Sequence, residues 1–392
     1  FRTMKVLIIP SWYPYPQKPN AGRFFLDQAI ALSKNSNYEY AILNWGQYEF
    51  QLQIRHPFVA IAKIFNYLTA KTGTRNIAPN LKEIKIPHLT WTSRLFYGNI
   101  RALVKKLRSL PKPDIIHSYV TFPAGFLAFR LAEKWKIPYI ISEHSGPFPF
   151  PEYISGNKVS SKITLPLHNA SAVLAVSRFL QSQILSSCSV QSIVIPNLVD
   201  TEFYQPAAFA EPRKRFSFFS LSILTYAKGV MDLVEAFGIA VQKGLDADLF
   251  IGGDGYLKHK IKHKIITSHL EHRIHLLGFL NPQQALEQYQ KCDCYILPSH
   301  IESFSLVLLE AMACGKPTLA TDCGGPKDIV TPETGVLIPP QNPVLMAEAM
   351  LKMKENMPNY SAERIREICI KNYSPAVICN KITAVYQNIL QK

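Results

Sequence analysis

Along the first half of the chain, short unbroken apolar runs alternate with stretches whose apolar residues recur every three or four positions. KVLIIP (5–10), DIIHSYV (114–120), PYIISEH (138–144), AVLAVS (172–177) and SIVIPN (192–197) are of the first kind. Continuous apolarity over four to six residues predicts strands covered on both faces. FFLDQAIALSK, AGFLAFRLAEKWK and RFLQSQILSS, lying between such runs, have helical spacing. Strand–helix alternation of this kind predicts a parallel sheet with helices on both faces.

VDTEFYQPAAFAEPRKRF (199–216) interrupts the pattern with two prolines and a charge cluster, and reads as an interdomain linker. A second alternation follows. FSFFSLSIL, ADLFIGG, IHLLGFL, CYILPS, PTLAT and GVLIPP read as strands, and VMDLVEAFGIAVQKG and LVLLEAMACGK as helices closed by glycine. The expected fold is α/β, with two doubly wound Rossmann-like domains facing across a cleft. The boundaries are placed at 1–198 and 199–373, with the last helical stretch, 374–392, packing back onto the first domain. Ligands of such sheets bind beyond the carboxyl ends of the strands.

Composition adds a partner. Residues 1–200 hold 23 Lys+Arg and 9 Asp+Glu, whereas residues 201–392 hold 20 and 19. The first half is therefore +14 and the second +1, which points the first half at a polyanion or an anionic membrane surface. No aromatic-and-glycine recognition motif supports nucleic acid. No apolar run is long enough to span a bilayer, and the opening FRTMKVLIIPSWYP is cut by Pro10 and Pro14, unlike a signal peptide. Met4 is a candidate natural start. Seven sparse cysteines suit a reducing cytoplasm, and Cys292-Asp293-Cys294 lacks the second pair a zinc site needs.

ESFSLVLLE (302–310) carries the chemistry. Glu302 falls on the loop after a strand, Glu310 about five residues into the following helix. A helix N-terminus between them offers free N–H groups and a positive dipole end, a seat for phosphate. Two acids flanking a phosphate seat suit ribose on one side and a sugar on the other. Read alone, Glu302 is as well explained as an acid near a helix start and Glu310 as a surface residue. Lys228-Gly229 and GGDG (252–255), each after a strand of the same domain, add a phosphate-sized charge and close backbone approach. Asp246-Ala247-Asp248 matches a metal-binding Asp-x-Asp formally, but it opens a strand and so lies at the wrong end of the sheet.

Together E-x7-E, Lys228-Gly229, GGDG, PNLVDTEFYQP (196–206), LGFL (277–280) and AMACGKPTLATDCGGPKDIV (311–330) resemble glycosyltransferase family 4, a retaining family with the GT-B fold. SWYPYPQKPNAGRFFLDQAIAL and ISEHSG resemble its polysaccharide-assembly members. The resemblance implies a nucleotide-sugar donor held by Gly22, Lys228, Gly229, Gly253, Gly278, Glu302, Ser303, Phe304, Ser305, Leu306 and Glu310. Glu310 would bind the ribose, Glu302 the transferred sugar, and backbone around Phe304–Leu306 the sugar and phosphate. His144 would point at the sugar from the first domain, making Lys228, Glu302 and His144 the catalytic set, with no metal or other cofactor. The family carries an arginine five residues before the lysine. This chain has Ile223 there, and Arg178 or Arg23 is the candidate replacement.

The acceptor is expected on the first half. RLFYGNIRALVKKLR (94–108) sets Ile100, Leu103, Val104 and Leu107 on one face and Arg94, Arg101, Lys105 and Arg108 on another. A basic amphipathic helix can lie on anionic lipid. RHPFVAIAKIFNYLTAK (55–71) is a second apolar stretch with basic edges, equally readable as a core helix. Arg23, Arg101, Lys105 and Arg108 are the acceptor-side candidates. The expected activity moves a hexose or N-acetylhexosamine from a nucleotide sugar, taken as a UDP-sugar, to a saccharide or lipid-linked acceptor in polysaccharide or cell-envelope biosynthesis. The expected location is cytoplasmic, at the inner face of the membrane. The competing readings are a nucleotide-sugar 2-epimerase of the same fold and a nucleotide-sugar-binding protein with weak turnover.

Overall fold

The computed structural model describes residues 3–18, 20–52, 57–90, 96–107, 109–208 and 214–391. The chain divides into two units. The first comprises Phe1–Val176, Leu180–Ile195 and Ile378–Lys392, the second Ser177–Phe179 and Pro196–Val377.

The first unit contains β1 (Lys5–Pro10), α1 (Arg23–Lys34), β2 (Glu39–Asn44), α2 (Pro57–Thr69), β3 (Gly73–Ala78), β4 (Leu81–Lys85), α3 (Phe96–Leu107), β5 (Ile115–Tyr119), α4 (Phe126–Trp135), β6 (Tyr139–Glu143), a small hairpin β7 (Ile154–Ser155) and β8 (Lys158–Val159), α5 (Ser161–Asn169), β9 (Ala172–Ala175), most of α6 (Arg178–Cys188) and β10 (Ile193–Val194). Its sheet runs β10-β9-β6-β5-β1-β2-β4-β3. All its pairings are parallel except β3 with β4. That exception has a local cause. Only Pro79 and Asn80 separate the two strands, and Asn80 takes φ +58, so the chain reverses instead of crossing over. Ile8, Phe25, Leu32, Ile116, Leu127, Leu131 and Ile140 are fully buried on the faces of this sheet. Each such side chain contributes about 1.5–3 kcal/mol.

The second unit contains β11 (Phe216–Leu221), α7 (Val230–Gln242), β12 (Ala247–Gly252), α8 (Lys258–Thr267), β13 (Ile274–Gly278), α9 (Pro282–Lys291), β14 (Cys294–Leu297), α10 (Leu306–Ala313), β15 (Thr318–Thr321), β16 (Gly335–Ile338), α11 (Pro343–Glu355) and α12 (Ala362–Tyr373). Its sheet runs β13-β12-β11-β14-β15-β16, all parallel. Phe218, Leu233, Phe237, Leu249, Ile296 and Met350 form its core.

Apart from Ser177–Phe179, the chain changes unit at 195/196 and returns at 377/378, where the sequence reading has 198/199 and 373/374. The stretch expected to be a linker is also different. Residues 199–208 are tied to the second unit: Val199 N–H donates to Tyr373 O, and Arg366 donates to Thr201 O and Tyr204 O. Residues 209–213 lie outside the described part. The final helix, α13 (Pro375–Leu390), does join the first unit, where Tyr386 is fully buried and its hydroxyl meets His117 Nδ1 at 2.6 Å.

Two helices depart from the sequence reading. On α3, Ile100, Leu103 and Leu107 are buried inside the unit and Val104 is half-buried, leaving that apolar face little area for lipid, while Arg101 and Lys105 are exposed. Arg108 and Arg94 lie outside the described residues. α2 is the reverse case. Phe58, Val59, Ile61, Phe65 and Leu68 are exposed, and Ala60, Lys63 and Tyr67 face the unit.

Candidate active site

In the second unit, β11 leads to β12 and β13 on one side, while β14 and its successors lie on the other. The switch in strand order therefore falls between β11 and β14, where doubly wound sheets bind ligands. The loops leaving these two strands carry Lys228 and Glu302. Lys228 Nζ donates to Glu302 Oε1 at 2.6 Å, and Ser299 Oγ donates to the same oxygen at 2.8 Å. The pair is partly desolvated, with side chains 28% and 14% exposed, so it is stronger than a surface ion pair. Glu302 is fixed by its backbone as well: its N–H donates to Cys323 O and its carbonyl accepts from Gly325 N–H.

Gly229 allows the two loops to meet. It takes φ +62, and a Cβ there would sit 2.8 Å from the Pro298 carbonyl carbon and closer still to its oxygen. His300 N–H donates to Ala227 O, and His300 Nε2 meets Asp232 Oδ2 at 2.7 Å, tying the β14 loop to α7. Beyond Glu302, Ser303 O accepts from Ser177 Oγ, and Phe304 is buried with its ring 6.3 Å from that of Tyr373. Ser305 precedes Leu306, the first residue of α10, without capping it. Its Oγ is buried and has no hydrogen-bond partner among the described residues. A buried hydroxyl with no partner costs about 1–3 kcal/mol, which an incoming acceptor oxygen would recover. Glu310, one turn further, accepts from Tyr289 Oη at 2.7 Å. Burial and the Glu310 carboxylate push the Tyr289 phenol well above its ordinary value, so it stays a donor.

The GGDG loop follows β12. Gly253 and Gly255 lie at the end of β12, but backbone of Ser222 and Leu224 fills the space their side chains would need. Packing alone accounts for glycine there. Gly278 ends β13 with φ +71, and its carbonyl accepts from Gly253 N–H at 2.7 Å. Ile223 is 66% exposed in the same loop as Lys228. Asp246 and Asp248 sit at the amino end of β12, paired with Arg215 and Arg273. Cys292 and Cys294 are buried free thiols.

In the first unit, Gly22 takes φ +65 before α1, and Arg23 pairs with Asp27 at 2.8 Å. Arg178, the other proposed replacement, donates its N–H to Asp328 and falls in the second unit. His144 follows β6, with its ring 5.4, 5.1 and 5.6 Å from those of Phe24, Phe25 and Tyr119. Its neighbour Glu143 is fully buried and accepts from Thr121 N–H and Oγ1, His144 N–H, and Ser145 N–H and Oγ. One carboxylate thus fixes the loops after β5 and β6. Sequence reading missed Glu143 in this role, and missed Ser299, Tyr289, Asp232 and His300. Asp232 and His300 flank the identified motifs closely, whereas nothing in the sequence links Tyr289 to Glu310.

Residues 71–203 match the family described as Glycosyltransferase Family 4, and residues 203–372 match Glycosyl transferases group 1. The chain belongs to glycosyltransferase family 4. An uncharacterized glycosyltransferase of Methanocaldococcus jannaschii is 29% identical over 295 residues, covering 74% of this chain and 80% of that protein. The N-acetyl-alpha-D-glucosaminyl L-malate synthase of Bacillus anthracis is 26% identical over 296 residues, covering 71% and 75%. Among solved structures, sucrose-phosphate synthase from Thermosynechococcus elongatus superposes with a TM-score of 0.78 at 16% identity over the whole of both chains. Anabaena HepE in complex with UDP gives 0.71 at 18% identity, covering 98% of this chain and 100% of that one. These likenesses establish the GT-B fold for this family 4 glycosyltransferase.

Proposed function

We propose that this glycosyltransferase moves a hexose or N-acetylhexosamine from a UDP-sugar to a saccharide or lipid-linked acceptor of the cell envelope, with retention at the anomeric carbon. The observation that carries the donor half is the Lys228–Glu302 pair at the β11/β14 switch point, set beside the uncapped start of α10. In this reading Lys228 and the α10 amides meet the negative charge that grows on the leaving diphosphate, an electrostatic contribution of the kind that dominates many enzymes. Ser299 and Lys228 hold the Glu302 carboxylate at a fixed angle to accept from sugar hydroxyls, and Tyr289 orients Glu310 toward the ribose. The proposal routes no step through a metal, so chelator should leave turnover unchanged. Uridine as the base is supported by HepE, which was solved with UDP and with UDP-glucose.

Thermal unfolding with UDP, GDP, ADP, CDP and their sugars tests the reading. A ligand at a hundred times its dissociation constant adds about 2.7 kcal/mol to the folded state. A rise confined to uridine nucleotides, with slow release of α-configured sugar from the matching donor, is expected. Ile223, exposed where the family has arginine, favours one competitor, a donor-binding protein with weak turnover. A nucleotide-dependent rise with no sugar released would select it. A 2-epimer of the donor sugar appearing without acceptor would select the epimerase.

A further inference from the structure

α2 is amphipathic in the wrong direction for a helix serving only its own domain. A surface helix normally turns its apolar stripe inward. Here Phe58, Ile61, Phe65 and Leu68 recur at helical spacing on the outward side, at 86%, 64%, 66% and 73% exposure. Val59 and Ile64 broaden that side. The inward side holds Ala60, Lys63 and Tyr67. Lys63 is anchored, with its ammonium donating to Gln51 O at 2.8 Å, and the Tyr67 ring lies edge-on to Phe50 at 5.8 Å. Those contacts fix the rotation of the helix and hold the stripe outward. Scattered exposed apolar residues need no explanation, but a contiguous stripe of large ones marks an interaction surface.

The surrounding charge identifies the occupant. Between Glu49 and Asp114 the chain has twelve Lys+Arg and a single acid, Glu83. Glu83 is 2% exposed and already paired with Arg75. Lys106, on α3, places its Nζ 5.9 Å from the Tyr67 ring, so the basic side of α3 adjoins the base of α2. An apolar stripe within a cationic field lacking free carboxylates matches a bilayer bearing anionic lipid, which supplies both an apolar layer and negative potential. No helix among the described residues is long and apolar enough to cross a membrane.

We infer that α2 is an interfacial seat: Phe58, Ile61, Phe65 and Leu68 insert into the headgroup boundary of an anionic membrane, and the basic residues of α3 rest on its surface. The lipid role moves from the apolar face of α3, which is buried, to that of α2. This deepens the proposal of a lipid-linked acceptor and would place the first unit where such an acceptor resides.

The test is sedimentation of the whole protein with vesicles of equal phosphatidylcholine and phosphatidylglycerol, and with pure phosphatidylcholine. Neither contains a glycosyl acceptor, so the outcome is independent of turnover. The protein should pellet with the anionic vesicles and stay largely in solution with the neutral ones. The triple change Phe58→Ser, Phe65→Ser, Leu68→Ser should lower the partition by at least about tenfold. Because all three side chains are exposed, thermal unfolding and donor hydrolysis should not move. Should the triple variant fail to fold, Phe65→Trp alone suffices: its indole emission should shift to the blue on anionic vesicles and be quenched by brominated lipid. Failure to pellet, equal pelleting of the triple variant, or an indole emission in Phe65→Trp that vesicles leave unshifted would overturn the inference. So would a wild-type dimer that dissociates in the triple variant without any vesicle binding, since α2 would then be covered by a second copy. A wild-type protein that ignores vesicles yet hydrolyses donor would sink the seat and leave the transferase reading standing.

Discussion

Gly229→Ala probes the meeting of the two loops that build the donor site. The new Cβ would lie 2.8 Å from the Pro298 carbonyl carbon, where carbon atoms pack best at about 3.5–4.0 Å. One loop must retreat by about 1 Å. The residue also holds φ +62, which costs an alanine about 1–2 kcal/mol. Forced repacking adds about 1–3 kcal/mol. The total of about 2–5 kcal/mol should lower the melting temperature by about 2–4 °C per kcal/mol for a unit of this size. Pro298 is four residues from Glu302, so the same retreat misplaces the carboxylate, and a displacement of about 1 Å can cost a hundredfold in rate. Gly244→Ala isolates the second effect. Gly244 has φ +93 but open space around its Cβ position, so its alanine bears only the backbone cost. Calorimetry and donor hydrolysis on both variants decide. Gly229→Ala should melt lower than Gly244→Ala and hydrolyse donor about a hundredfold more slowly, while Gly244→Ala keeps wild-type turnover. Equal melting and equal turnover in the two variants would refute the close approach of the loops.

Lys228→Ala should lower kcat by about 10²–10³-fold with a smaller change in nucleotide affinity, read by single-turnover kinetics and calorimetric titration. Glu310→Ala should weaken UDP binding by about 1.5–3 kcal/mol, and Tyr289→Phe by less, because it removes the partner that orients the carboxylate and not the carboxylate itself. Unchanged affinity in Glu310→Ala would remove it from the ribose site. Glu143→Gln should destabilise the first unit by about 3–5 kcal/mol in urea unfolding, since an amide nitrogen would replace an acceptor facing several donors. His117 supplies a pH dependence. Burial, then the neighbouring His144, push its imidazole down to about 3 from an unfolded value of 6.5. The unfolded chain therefore binds the extra proton between those values, and stability falls as pH drops below 6.5, by about 1.4 kcal/mol per unit. A His117→Asn variant should lose that part of the slope, whatever its stability at neutral pH.

The central strands were legible because continuous apolar runs such as KVLIIP and CYILPS are buried on both faces, whereas their order in the sheets was not. β2 and the β3–β4 hairpin were not identified: EYAILN opens on an exposed glutamate, LKEIK interleaves three charges with its apolar residues, and the edge strand GTRNIA has no buried residue. The acids at 302 and 310 were legible from spacing, since one precedes a helix and the other lies within it. Their partners were not. Tyr289 reaches Glu310 across 21 positions of sequence, and Ser299 and Lys228 converge on Glu302 only because β11 and β14 are neighbours. At GGDG the sequence shows glycines that suit phosphate, but not that the backbone of Ser222 and Leu224 also requires glycine at 253 and 255. For α2 the apolar stretch with basic edges was readable, but not which of its residues would be covered.

The return of α13 to the first unit has a consequence for recombination between relatives. The first unit is encoded in three separated stretches, Phe1–Val176 and Leu180–Ile195 early and Ile378–Lys392 at the end, and Tyr386 from the last is buried against His117 from the first. In genetic terms the greater part of the second unit, Pro196–Val377, is an insertion. A chimera made by a single crossover near residue 196 would join the early part of one first unit to the closing helix of another. Pro196–Val377 can be exchanged cleanly only as a cassette with two joints, near 195/196 and 377/378, so that each recipient keeps its own Ile378–Lys392.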